Sequence, residues 1–428
     1  MHRQKKNDAK ERFKKTLTKA VVLFSQKKVE ESFELVLAVE KMDLSLRQRG
    51  QVHKVVCLQL IGTLYGANNL TELSAICGIK SNKASKIWQS LSHSQIQILF
   101  NYAARSAFSE QFLALCGQSD ASQSRAEATI VGDDSIFKHW FSDEEVGEYF
   151  ARFFSGQSKS VVYGFCVNLA GIVLKDTFYP LVFSLVKRKE SSKSILQANL
   201  IEIKEYIDDL LDQANKDRQI PLKLPQLYLS IDSGLSDPNI MDWCEDKAII
   251  FIGVAEKTHI FTTTWGAKGN FHEVLLPNFL REEALFYADK NHKGKPFTLR
   301  MRLFYRYLGK NVTVLLFRFN NSKTVSIIFS TDKDIKAITL RRRFFQRTQI
   351  EQFFRMVKHT LRIAQSNTWD TSSFRKKIAL FFLKAIFAFS FRNFCRTRFK
   401  CFKNWGFHKL RRDIIYQNIF KDPLFTHF

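Results

Sequence analysis

The chain reads as an α/β protein. The expectation is a mixed β-sheet flanked by helices, interrupted by a β-rich insertion, with a helical N-terminal domain and a helical basic tail. Three observations lead there. Between residues 128 and 254 the pattern runs three strands, helix, strand, helix, strand. Residues 256–338 alternate aromatic and β-branched residues with polar ones, as strands do. Residues 341–361 carry Ile350, Phe353, Val357 and Leu361 at i, i+3, i+7 and i+11, an apolar helical face suited to packing on a core.

With 428 residues, the chain is long enough for two or three domains. Its 45% hydrophobic and 25% charged content excludes a disordered chain. Phenylalanine is abundant at 41 residues and reads as core filling. A net charge of +25 favours a polyanionic partner, most often nucleic acid, with an anionic membrane surface or a ribosome as rivals. The seven cysteines (57, 77, 116, 166, 244, 395 and 401) include no CxxC and no zinc-ligand spacing, so they read as reduced thiols of a cytoplasmic protein. No apolar segment follows the basic N-terminus, so no signal peptide is expected. The longest apolar run, Ile378 to Phe391, contains Lys384 and is shorter than the roughly 18–20 residues of a membrane span. A buried helix and no membrane partner are expected.

Residues 1–116 are expected to form the helical domain. Within it, Leu73 and Ile76 mark a short helix that Gly78 stops, and Ser81 can cap a second helix carrying Ala84, Ile87, Trp88 and Leu91. Residues 70–92 thus resemble a helix-turn-helix that would offer Asn82, Lys83, Ser85 and Lys86 to a DNA groove; an ordinary helical hairpin is the alternative. The small polar residues of 117–127 read as a linker.

Residues 128–255 carry the first part of the sheet domain. Ala128 to Asp134 is a short strand ending in two acids, and Val161 to Val167 and Phe178 to Val186 are β-rich. Ser194 can cap a helix with Leu196, Leu200, Ile203, Ile207, Leu210 and Leu211 on one face. Leu227 to Asp232 is a second strand ending in an acid, Asp237-Pro238 opens a helix, and Ala248 to Val254 is a buried strand. Residues 256–338 are the insertion. Residues 339–395 complete the sheet domain through the 341–361 helix, and 396–428 are a basic tail. The tail's interleaved aromatics suit a backbone-binding surface or a solvated cationic face equally.

Three carboxylates stand out: Asp133 with Asp134 beside it, Asp232, and Glu351. Two end strands, where open α/β sheets place their sites. Glu351 lies on the 341–361 helix between Arg347 and Lys358, at i, i+4 and i+11 from the arginine. Each acid alone reads as a turn residue or a helix-surface charge. Together, with no His or Cys partner, they suit hard divalent cations such as Mg²⁺, and two such ions can drive an in-line phosphoryl transfer.

Arg347, Glu351 and Lys358 match the spacing arginine, three residues, glutamate, six residues, lysine. With Asp133-Asp-Ser135, Ile231-Asp-Ser233 and Ser330-Thr-Asp332, the chain resembles DDE-type transposases of bacterial insertion sequences, the insertion-sequence-four group, over roughly residues 128–365. The tyrosine that opens the group's glutamate motif is Phe344 here. The resemblance implies an RNase H-like catalytic core interrupted by the β-rich insertion. It implies Asp133, Asp232 and Glu351 as catalytic ligands of two Mg²⁺ or Mn²⁺ ions, with Asp134 the alternative first ligand. Arg347 and Lys358 would contact phosphates of double-stranded DNA, at transposon ends and target, in a homodimeric complex at the bacterial nucleoid. Lys138 and Arg362 are weaker additions, and His139 and His359 are not assigned. Trp265 reads as a core residue or as a stacking platform for an extruded base. The rivals are a non-catalytic DNA-binding protein and another RNase H-like nuclease or resolvase.

Overall fold

The computed structural model describes residues 92–118, 126–138, 148–155, 160–289, 296–318, 324–361, 371–402 and 407–416, with the isolated positions Glu11, Lys15, Lys19, Thr63 and Leu64. The expected helix-turn-helix, with Asn82, Lys83 and Lys86, lies outside them, as do His139 and Arg362. The chain divides into two compact units, one formed by residues 111–136 and 166–351, the other by the chain before 111, by 137–165 and by the chain after 351.

In chain order the elements are α1 (His93–Gln118), β1 (Glu127–Lys138), β2 (Phe150–Ser155), β3 (Ser160–Leu174), β4 (Thr177–Val186), α2 (Ser192–Asn215), β5 (Gln226–Ser230) and α3 (Pro238–Asp246). There follow β6 (Ile250–Val254), β7 (Phe261–Thr263), β8 (Lys268–Gly269), α4 (Leu276–Ala288), β9 (Thr298–Tyr305), β10 (Lys310–Arg318), β11 (Val325–Ser330), α5 (Ala337–Gln346), α6 (Thr348–Arg355), α7 (Thr371–Arg398) and α8 (Phe407–Tyr416). The strands form one open mixed sheet in the order β2-β3-β1-β5-β6-β11-β10-β9-β7-β8, with β4 on β3. β5 is parallel to β1 and to β6, whereas β11 is antiparallel to β6 and to β10, and β10 to β9.

Local sequence explains most of these elements. β3 and β4 are joined by Lys175-Asp176, both at positive φ (47° and 64°), the mirror-image turn that matches a hairpin's twist. α2 is capped by Ser191, whose side chain accepts from Lys193 N, and not by Ser194. α3 starts as expected, with Asp237 as cap and Pro238 in the first turn. The span 256–338 is not wholly β: α4 lies inside it, and its strands β9, β10 and β11 extend the same sheet through β6. The 341–361 helix is not continuous, because α5 ends at Gln346 and α6 begins at Thr348 around a turn at Arg347.

β1 is sandwiched. On its even-numbered face, a Cβ at Gly132 would stand 2.4 Å from Leu196 Cδ1, so α2 packs directly on the strand there. On the odd-numbered face, α5 is bound by a polar network. Arg343 is buried and pairs with Glu127, and Arg342 Nη2 reaches the same carboxylate at 2.8 Å. Arg343 also lies over the Tyr228 ring at 5.0 Å, while Gln346 Oε1 accepts from Thr129 Oγ1 at 2.6 Å. Burial lowers the Arg343 guanidinium to about 10. Beneath α5 an apolar cluster of Tyr228, Ile252, Leu315, Phe317, Ile328, Leu340 and Phe344 holds it to β5, β6, β10 and β11.

The other unit is built on phenylalanine. Phe137 and Phe165 stack at 5.1 Å, Phe374 meets Phe150 at 4.9 Å and Phe165 at 5.2 Å, and Phe353 meets Phe389 at 5.6 Å. Among the described residues, one helical stretch, Phe374–Arg396, is long and apolar enough to cross a membrane, with a mean hydropathy of 1.6. Its most apolar window is 71% buried inside the protein, where those aromatic contacts cover it. The described cysteines are free, and only Cys401 is exposed.

Removing one partner of a buried ion pair strands the other charge, which typically destabilises by about 3–5 kcal/mol. Glu127→Ala should therefore lower the urea unfolding free energy by roughly 3 kcal/mol. The paired change Glu127→Gln with Arg343→Met should recover most of that loss.

Candidate functional site

The parallel pairing of β1 with β5 ends at Val131 and Ser230. Two residues further in the same register, Asp133 and Asp232 stand on neighbouring chains and on the same face, since side chains alternate and strands lie about 4.8 Å apart. β1 itself does not end at its acids, as the sequence had suggested; it runs on to Lys138, because Phe137 is again buried. Asp134 falls on the opposite face from Asp133 by the same alternation.

The two aspartates are held alike. Asp133 Oδ1 accepts from Asp134 N at 2.9 Å, and Asp232 Oδ1 accepts from Ser233 N at 2.9 Å, where it caps a single 3₁₀ turn. Each thus spends one oxygen on local backbone and directs Oδ2 inward. Those oxygens meet Arg347: Nη1 lies 3.9 Å from Asp133 Oδ2 and 3.4 Å from Asp232 Oδ2. Arg347 Nη2 lies 2.9 Å from Glu351 Oε1, one helical turn on. A single guanidinium therefore joins acids from three distant stretches of sequence. The Arg347 side chain is largely enclosed, 14% exposed, and its Nε is buried with no hydrogen-bond partner among the described residues. Phe344 is a core residue whose ring lies 5.7 Å from the Arg347 guanidinium.

One cation facing three carboxylates leaves an anionic locus in a chain of net charge +25. Burial raises the Asp133 carboxyl to about 7; Arg347 opposes the rise, and Asp134 and Asp232 add to it. A cleft of about 420 Å³ is lined by Val254, Lys257, Ser326, Phe345, Arg347 and Glu351, among others, so it reaches the site on its helix side.

Among the described residues, no three acidic, His or Cys side chains stand at metal-ligand spacing. The donor set is nonetheless of hard carboxylate oxygens, the type that Mg²⁺ takes, and the present spacing is that of oxygens gathered round a guanidinium. Lys358 belongs to the other unit, where its ammonium lies 5.2 Å from the Phe137 ring centroid. Lys138 and His359 are exposed. Trp265 is not a core residue: it is 61% exposed, beside Gly266 at φ 87° in the β7–β8 turn. Sequence reasoning missed Glu127, Thr129, Arg343 and Gln346, which seat the helix carrying the site. Their only signal was three consecutive arginines, from which the buried member cannot be told.

Compared with known proteins, the sequence matches no family model and no curated protein.

Asp133 also predicts a pH dependence. Its ordinary value is 3.8 and its folded value about 7, so between them the folded chain holds a proton that the unfolded chain has released. Stability contributed by this group is therefore present at low pH and lost as pH rises from about 4 to about 7. In divalent-free buffer, Asp133→Asn should unfold like the wild type near pH 4 and be the more stable protein near pH 8. Urea midpoints across that range check it.

Proposed function

We propose that this chain is a DDE-type DNA transposase of the insertion-sequence-four kind, cutting the ends of a mobile element and joining them to target DNA. The observation that carries the reading is the meeting of Asp133, Asp232 and Glu351 at the Arg347 guanidinium. The strand arrangement supports an RNase H-like core: β4-β3-β1-β5-β6, with β5 parallel to β1 and β6 parallel to β5, and the acids beyond the paired ends of β1 and β5. The net charge of +25 supports a DNA substrate.

In this reading Asp133, Asp232 and Glu351 hold two Mg²⁺ or Mn²⁺ ions. When bound, such ions polarise the scissile phosphate and stabilise charge on the attacking and leaving oxygens. The protein's own part is positional. The Oδ1 bonds of both aspartates keep their Oδ2 atoms aimed into the site. Arg347 partly offsets the acids' charge until substrate is bound, then turns its planar donor set to a DNA phosphate, a group that guanidinium binds as readily as carboxylate. Lys358 adds a second phosphate contact, and the active species is a homodimer on paired ends in the bacterial cytoplasm.

The test is strand cleavage on duplexes carrying the element's terminal inverted repeats. Cleavage should require Mg²⁺ or Mn²⁺ and should fall at least about 1000-fold in Asp232→Ala and in Glu351→Gln, the scale of losing central electrostatic groups. Full activity in either variant would remove the proposal. Products joined to a second duplex separate a transposase from a nuclease or resolvase.

A further inference from the structure

The sheet's far side from β1 carries a second charged feature that the acids do not use. Leu315 of β10 pairs with Arg300 of β9 and with Ile328 of β11, and Ile328 pairs with Val254 of β6. The register of β5 with β6 sets Ser230 beside Ile252, so two residues on Val254 is level with Asp232. Asp232, Val254, Ile328, Leu315 and Arg300 therefore form one row across the sheet, with side chains on one face, the face that α5 partly covers. Four strand spacings separate the ends of the row, roughly 19 Å.

The apolar cluster under α5 includes no residue of β9. There Arg300, Arg302 and Phe304 alternate outward on the same face and are exposed. The loop entering α5 crosses beside them with exposed Lys333 and Lys336. Arg300 Nη2 donates to Lys333 O at 2.9 Å, and Arg302 Nε donates to the same carbonyl at 3.1 Å. Arg302 also pairs with Asp334, so its charge is spoken for. Arg300 uses one of its five donors and faces no carboxylate among the described residues. Lys333 and Lys336 likewise pair with no carboxylate among the described residues.

We infer that Arg300, Lys333 and Lys336 form a phosphate-binding track for duplex DNA, about five or six base pairs from the cleaved bond. The inference rests on the DNA-acting reading above. The row gives the straight-line separation of track and acids, roughly 19 Å or five to six steps of about 3.4 Å, which a duplex passing over α5 would span. The sheet supplies a rigid spacer between acids and track. Phe304 gives the track an apolar floor against the sugars, and contacts of this kind set position rather than sequence preference.

Fluorescence anisotropy with a labelled duplex of about three helical turns tests this in a salt titration. Each phosphate contact contributes about 0.9 to the slope of log affinity against log salt. Arg300→Ala with Lys333→Ala should lower that slope by roughly 1.8 and weaken binding five- to tenfold per side chain near 0.1 M salt. Lys216→Ala, on the exposed end of α2 behind the opposite face, should leave both unchanged. Circular dichroism should be unaltered, because the substituted side chains are exposed. If the wild type binds duplex and the double variant binds it with the same slope, the track is refuted while the transposase reading stands. If the wild type binds no duplex at all, the transposase reading fails first. A loss confined to anionic lipid vesicles would assign the surface to a membrane and overturn the inference.

Discussion

The site depends on one guanidinium holding carboxylates that repel one another. Asp133, Asp232 and Glu351 come from a strand, a strand end and a helix, and without a counter-charge their approach would be opposed. At about 4 Å, two like charges interact by about 4 kcal/mol for an effective dielectric near 20, a sizeable share of a domain's net stability. Arg347 offsets this from inside the cluster. Its position at a turn between α5 and α6 lets its side chain leave the helix surface and reach back to the sheet, while Glu351 stays one turn ahead. The acids are thus assembled by the protein's own charge, with their inward oxygens turned to the Arg347 guanidinium.

Such an arrangement demands that the helix be seated firmly. The apolar cluster under α5 supplies most of the adhesion but little direction, since burial is non-directional. Direction comes from the polar network of Glu127, Thr129, Arg343 and Gln346, whose bonds are geometrically specific. A buried arginine is a poor source of net stability and a good source of uniqueness here, because few helix positions would bring its Nη groups to both Glu127 and Thr129. α2 closes the other face through Leu196 against Gly132, so the strand bearing the first acid is packed from both sides.

Much of this was legible in the chain itself. Alternation and caps marked the strands and α3, acids expected at strand ends drew attention to Asp133 and Asp232, and the flanking Arg347 and Lys358 drew attention to Glu351 on its helix. What escaped was information that lies in pairing. Choosing between Asp133 and Asp134 requires the face of β1, which only its neighbours define. Ser191 and Ser194 are equally good caps by local sequence, and the helix's contacts select the first. α4 was overlooked although Asn270 and Glu273 form a capping box on the helical turn Phe271–Leu275 that leads into it and Pro277 lies in its first turn, because aromatic residues on either side read as strand. Trp265 was weighed by composition, which cannot foresee a hairpin tip.

The odd-numbered positions of β1 tie the strand to the helix at Glu127 and Thr129 and supply the acid at Asp133. Attachment and the candidate acid are consequently in phase along a single period-two pattern. A lost or gained codon between Thr129 and Asp133 would leave the attachment intact and turn the acid to the wrong side. The strand can drift in composition there, but not in length.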